Sequence, residues 1–402
     1  MDARQAAQRL GVKVETLYAY VSRGVLASER GPDGRTSWFS SADVERLALR
    51  GRPRRSSRGP LIDVAVETAL TEIDGHRLRY RGHDAVDLAT RWSFEQVAEL
   101  LWVGTGSAGP TTWAPGATLP YRPDEATALD RLRLAVALDA CRPRPAVDLG
   151  PDGARSVVAA GPSLLATMVD SLPVRCGGAR PILRLRDRPG VRGSVAARLA
   201  VRLVDTRPPA SLVGAVNAAL VLLADHEMAP STLAARVAAS VRADAHAIVS
   251  AGLGPMAGAM HGQASRGVRA LIDEAGRTSP GAVVARLAQR SGPLPGIGHG
   301  LYPHGDPRAT ALLDLVRAAG GPVRRVRLVE ELLAELRAAG LERPNVDMAL
   351  GALGHIWSMP VDAGEAVFGV ARSAGWLAHG AEEWGRRPLR FRARARYVGV
   401  SG

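Results

Sequence analysis

Cysteine is scarce in this chain. Cys141 and Cys176 are the only two in 402 residues, with no CxxC pair and no histidine at ligand spacing. That excludes a disulfide framework, argues against a structural zinc site, and fits a reducing cytoplasm. Long hydrophobic runs are also missing. The longest, around 215–224, is about half a membrane span and contains Asn217, so no transmembrane helix is expected. The opening Met1-Asp-Ala-Arg-Gln5 lacks the apolar stretch of a signal peptide. No GxGxxG follows a strand pattern and there is no Walker loop, so a Rossmann or phosphate-loop nucleotide enzyme has little support. Lysine is reduced to Lys13 among 52 basic residues. A single arginine therefore says little unless a motif places it.

What is present is a large apolar fraction and an uneven charge. Apolar residues make up 46% of the chain, enough to bury a sizeable core. The formal charge is +13, but it is concentrated. Residues 1–59 carry a net +6, and residues 386–396 hold six arginines and no acid. The body between them is close to neutral.

Residues 1–50 read as one small unit. A helix over Ala3–Leu10 stops at Gly11, and a second over Val14–Arg23 is closed by Gly24. Val14, Leu17 and Val21 recur at helical spacing, leaving Glu15, Tyr18, Ser22 and Arg23 for solvent. Arg30-Gly-Pro-Asp-Gly-Arg35 is a turn with basic shoulders, and Ser40/Ser41 should cap a third helix through Leu49. This is the layout of a winged helix-turn-helix. Residues 51–60, rich in Gly, Pro, Ser and Arg, are a linker. Beyond it the pattern is repeatedly helical. Segments 126–140, 195–204, 212–224, 233–253, 283–289, 309–318, 326–339 and 363–378 have helical periodicity, and strand-like alternation occurs only near 70–80. The expected fold class is all-α.

Four histidines stand in conspicuous settings. His226 follows the apolar helix in Ala-Asp-His-Glu. His261 lies in Ala-Met-His-Gly, His299 in Pro-Gly-Ile-Gly-His ahead of Asp306-Pro-Arg308, and His379 in Gly-Trp-Leu-Ala-His. Asp347 supplies a carboxylate in Asn345-Val-Asp347. Taken singly, each could be structural. None of the spacings makes a tight metal-ligand cluster, so no metal is expected.

In this order, however, the motifs resemble the citrate synthase family over about residues 60–402. Further matches are Leu78-Arg-Tyr-Arg-Gly-His-Asp-Ala-Val-Asp-Leu-Ala89, Phe94–Gly104, Ser231-Thr232, Ala371-Arg372-Ser-Ala-Gly-Trp376 and Arg392-Ala-Arg394-Ala-Arg396-Tyr397. The resemblance implies large and small helical domains within 61–402, with a small subdomain at roughly 264–352. It implies condensation of acetyl-CoA with oxaloacetate and water to citrate and CoA. Propionyl-CoA, giving 2-methylcitrate, is the other donor it allows. Asp347 would be the base, His261 the donor to the thioester oxygen, and His299 the acid at the ketone. His226, Arg308, Arg372 and Arg394 would hold the dicarboxylate, Arg394 reaching across a homodimer interface. Pro295, Gly296, Ile297 and Gly298 would hold the CoA adenine. Acetyl-CoA enters as a substrate and no cofactor is implied. Some positions depart from the family pattern. Gln263 stands for a usual glycine, Gly300 for a frequent arginine, and Ala393 for a usual proline.

The head resembles the MerR/excisionase-type helix-turn-helix through Ala6-Ala-Gln-Arg-Leu-Gly-Val12 and Thr16-Leu-Tyr-Ala-Tyr-Val-Ser-Arg-Gly24. That resemblance implies DNA as a partner, with Glu15, Tyr18, Ser22 and Arg23 in the major groove and Arg30 and Arg35 on phosphates. The alternative function is a DNA-binding regulator whose synthase-like part senses a tricarboxylate or CoA ester.

Overall fold

The computed structural model describes the chain except for residues 11, 23–25, 31–36, 41–42, 45–64, 107–110, 118, 120–124, 144–149, 151, 176–192, 259–260, 291, 342, 394–398 and 400–402. The third head helix and the linker therefore fall largely outside the described residues. So do Arg23, Arg35 and Arg394, and of Arg30 only the backbone is described. The chain divides into two compact units, Met1–Ala65 and Val66–Gly402.

The first unit has helices Ala3–Leu10 and Val14–Ser22 and a short antiparallel pair, Glu29–Arg30 with Ser37–Trp38. Asp2 and Gln5 cap the first helix reciprocally, each side chain accepting from the other's backbone N–H. Ala6, Ala7, Leu10, Leu17, Leu26, Phe39 and Val44 form its core. Glu15, Tyr18 and Ser22 are exposed on the second helix, the face expected from the spacing.

Among its described residues the second unit is helical apart from one small antiparallel sheet, Thr71–Ile73, Leu78–Tyr80 and His83–Asp84. Its centre is helix Ala210–Leu223, apolar almost all round and buried, packed against the long helix Ala363–Trp384. The expected single helix over 233–253 is two: Pro230–Ser240 and Ala245–Met256. Arg242 turns to a φ of +63°, and the Asp244 side chain accepts from Ala247 N–H to start the second helix. Periodicity alone cannot see a break that preserves the apolar face. Conversely, the last helix runs 22 residues, past the expected end at 378, because Glu382 and Glu383 are drawn inside by arginine partners.

A second group of helices, Ala264–Arg277, Pro280–Ala288, Pro307–Ala319, Val323–Ala338 and Val346–Ile356, packs largely on itself. Among the described residues no helix is long and apolar enough to cross a membrane.

Candidate active site

A cleft of about 1070 Å³ is lined by His226, His261, His299, Arg308, Asp347, Arg372 and the stretch Pro295–Gly298. Residues spread over nearly 150 positions of sequence therefore share one cavity. Each is held by a local device. Asn345 caps helix Val346–Ile356, its side-chain oxygen accepting from Asp347 N–H, while its amide donates to the Gly298 carbonyl at 3.0 Å. One residue thus ties Asp347 to the glycine loop. Asn345 N–H also donates to Gly296 O, and Gly298 N–H to Arg343 O. Gly296 has a φ of +73°, and a Cβ there would meet Val268 at 2.7 Å. Only glycine suits that position.

His299 accepts from Leu301 N–H on Nδ1 at 3.2 Å. A backbone donor there fixes the neutral tautomer with its proton on Nε2. His261 Nε2 lies 2.8 Å from Ser231 Oγ, leaving Nδ1 for a ligand. His226 Nε2 lies 3.0 Å from Tyr302 Oη, and its ring meets those of His299 and Tyr302 edge-on. Burial lowers the basicity of all three imidazoles, and nearby guanidinium charge adds to it: Arg308 for His226 and His299, Arg372 for His261. His261 is pushed down to about 4. At neutral pH they are uncharged, so each can donate or accept a proton.

Asp347 is shifted the other way. Burial raises its carboxyl to about 6, against the pull of Arg308 and Arg372. A carboxylate with that value is a stronger base than an exposed one and is still ionised at pH 7.

The two arginines are held differently. Arg308 is paired through Nε and Nη2 with both oxygens of Asp306, at 2.9 and 2.8 Å. Asp306 also caps its helix and accepts from Val346 N–H. Arg308 outweighs burial and holds Asp306 below the usual carboxylate range. Arg372 is 1% exposed yet makes no ion pair with a described residue. Its Nε donates to Leu223 O at 2.9 Å, and its guanidinium lies 4.7 Å over the Phe368 ring. Burial, then the Arg308 charge, lowers it to about 10 even though Asp225 pulls it up. A buried cation with no direct counter-ion, lining a cleft, has the charge to hold an anion.

Behind the cleft a buried network supports this floor. Asp225 bonds His379 Nε2 at 3.1 Å, His379 Nδ1 meets Arg236, and Arg236 pairs with Glu382 and Glu383. Arg390 pairs with Glu383 as well. His379, conspicuous in the sequence, thus belongs to this support and not to the cleft lining. Tyr302, Phe368 and Asn345 line or brace the site without having been singled out. Phe368 could have been found as the residue one turn before Arg372 on the same helix face. Tyr302 carries no comparable signal. Among the described residues no group of three or more acidic, histidine or cysteine side chains could hold a metal.

The family model for the citrate synthase C-terminal domain matches residues 63–112 and 119–394. The chain belongs to the citrate synthase family. It is 31% identical over 328 residues to a putative citrate synthase 2 of Mycobacterium tuberculosis, covering 79% of this chain and 86% of that one. To citrate synthase 2 of Bacillus subtilis it is 27% identical over 370 residues, covering 84% and 94%. To a 2-methylcitrate synthase of Mycobacterium tuberculosis it is 27% identical over 346 residues, covering 81% and 86%. The fold matches a Thermoplasma acidophilum citrate synthase, solved as a ternary complex with carboxymethyl coenzyme A and oxaloacetate. The TM-score is 0.65 at 23% identity, over 85% of this chain and 95% of that one. Residues 1–50 match the MerR HTH regulatory family. The protein is thus an enzyme of the citrate synthase class with a helix-turn-helix segment at its head.

Proposed function

We propose that the cleft condenses acetyl-CoA with oxaloacetate and water to give citrate and CoA. The observation that carries this reading is the buried, unpaired Arg372 beside Arg308, in the same cleft as three neutral imidazoles and a carboxylate of raised pKa. In this reading Arg372, Arg308 through its unpaired Nη1, and His226 bind the oxaloacetate carboxylates. Arg394, outside the described residues, completes the set from a second subunit of a homodimer. Asp347 removes a proton from the acetyl methyl group, and His261 donates a hydrogen bond to the thioester oxygen as the enol forms. The new carbon nucleophile attacks the ketone carbon of oxaloacetate, and His299 delivers its Nε2 proton to the ketone oxygen. Water then cleaves citryl-CoA to citrate and the CoA thiol. Each acid–base group contributes about 10²–10⁴-fold when aligned. The backbone of Pro295–Gly298 receives the adenine. No cofactor is called for by this sequence of proton transfers. Residues 264–352 act as a small subdomain that closes the cleft over both substrates.

Thiol release from a panel of short acyl-CoA esters with oxaloacetate tests this reading. Turnover lost in Asp347→Ala is the expected result. No thiol release from any donor would overturn it. The same panel decides whether propionyl-CoA, the donor for 2-methylcitrate, is used.

For residues 1–50 we infer binding to duplex DNA, supported by the MerR match and by the exposure of Glu15, Tyr18 and Ser22 on one helix face. A gel shift showing no sequence preference at salt that abolishes non-specific binding would count against it.

A further inference from the structure

His226 lines the cleft uncharged, so the placement of its one ring proton decides how it meets an anion. Among the described residues its ring makes one hydrogen bond, Nε2 with Tyr302 Oη at 3.0 Å. With Nε2 turned to Tyr302, Nδ1 is the nitrogen left for the cleft. Tyr302 is 1% exposed and stands outside the cleft lining, so its hydroxyl is shut away behind the imidazole. Burial pushes that phenol well above its ordinary value of 10, so it keeps its proton. Oη makes no second hydrogen bond with a described residue. A buried O–H needs an acceptor. If Nε2 carried the imidazole proton and donated to Oη, the phenolic proton would have none, and Nδ1 would turn a lone pair to the cleft. If Oη donates to Nε2, the hydroxyl is satisfied and Nδ1 carries the proton. The Tyr302 ring is fixed in place for this. It meets the His226 ring edge-on, lies 5.0 Å from the His299 ring, and sits beneath the Arg308 guanidinium at 5.4 Å.

We propose that Tyr302 is a positioning residue that locks His226 in the tautomer protonated on Nδ1, so that the imidazole offers the cleft a donor and no lone pair. This rests on the activity proposed above, in which His226 binds oxaloacetate. Carboxylate and ketone oxygens only accept hydrogen bonds. They are drawn to an Nδ1–H and repelled by an Nδ1 lone pair. Tyr302 thereby favours an oxygen-rich anion without touching it.

Tyr302→Phe deletes the hydroxyl and keeps the ring with its contacts to His299 and Arg308. The KM for oxaloacetate should rise about tenfold, the range of one hydrogen bond, while kcat and the KM for acetyl-CoA stay as in the parent. In a His226→Gln background the same substitution should add nothing to the loss of calorimetric oxaloacetate affinity, because its effect passes through the imidazole. Nitrogen NMR of histidine-labelled protein, with the His226 signals assigned by their absence in His226→Gln, reads the tautomer directly. The parent should show Nδ1 protonated, and Tyr302→Phe should show the proton shared between the two nitrogens. A parent protonated on Nε2 would overturn the proposal, as would an unchanged KM for oxaloacetate in Tyr302→Phe or an equal loss of affinity in both backgrounds. If no thioester were turned over, the activity reading would fail while the NMR spectrum still decided the role of Tyr302.

Discussion

Replacing Asp347 by asparagine should make the protein inactive and more stable. Burial raises its carboxyl from an ordinary 3.8 to about 6, so above that pH the folded protein holds a carboxylate that it would prefer protonated. Each pKa unit is worth 1.36 kcal/mol between the two forms, and a displacement of about two units gives an upper value near 3 kcal/mol. Asp347 remains partly open to the cleft, where solvent screens some of this, so a gain of about 1–3 kcal/mol is expected. The sign fixes the pH window. A carboxyl whose folded pKa is raised leaves stability intact below its unfolded value, and stability is lost as pH rises towards 6. The advantage of Asp347→Asn should therefore be near zero at pH 4, grow through pH 5, and level off above pH 6. Urea unfolding followed by far-ultraviolet circular dichroism at fixed protein concentration, with thiol release measured alongside, gives both readouts. A variant less stable than the parent at pH 8, or a gain independent of pH, would refute the reasoning. So would a variant that kept its turnover.

Four further outcomes follow from the same geometry. The pH profile of kcat/KM should fall with a one-proton slope below about pH 6 as Asp347 protonates, and stay flat from 7 to 8; a maximum at pH 5 would contradict Asp347 as base. Gly296→Ala forces a methyl group against Val268 at a φ of +73° and should cost about 2–4 kcal/mol, read as a lower unfolding midpoint, with a raised KM for acyl-CoA. Arg236→Met leaves Glu382 without its arginine and should cost about 3–5 kcal/mol in thermal unfolding, although Arg236 does not line the cleft. Ser231→Ala removes the one hydrogen bond that the His261 ring makes among the described residues and should lower kcat about tenfold while leaving the KM for oxaloacetate unchanged.

The charge distribution reads differently once the tail is seen. Of its six arginines the family resemblance assigns Arg394 to an anionic ligand; Arg390 is spent on Glu383 and Arg386 lies near Glu67. At least Arg390 of that positive run neutralises a carboxylate inside the fold, whereas Glu67 is exposed. Spacing does not reveal this pairing, because Glu383 sits at the end of a helix and Arg390 beyond it, so only the fold brings them together.

The sequence by itself determined which chemistry was available. Helical periodicity, the order of the histidine, arginine and aspartate motifs, and the glycine loop are local properties, set by spacing along the chain, and they were legible. Through the resemblance of those motifs to the citrate synthase family, they pointed to His226, His261, His299, Arg308, Asp347 and Arg372. What only the tertiary structure decided was the state of those groups. The depressed imidazoles, the raised Asp347 carboxyl, and the contrast between a paired Arg308 and an unpaired Arg372 depend on burial and on neighbours up to about 150 residues away. The same holds for Tyr302 and Asn345, whose roles come from contacts made across the cleft. Electrostatics and desolvation act through space, so the residue types can be read along the chain but their charges at working pH cannot.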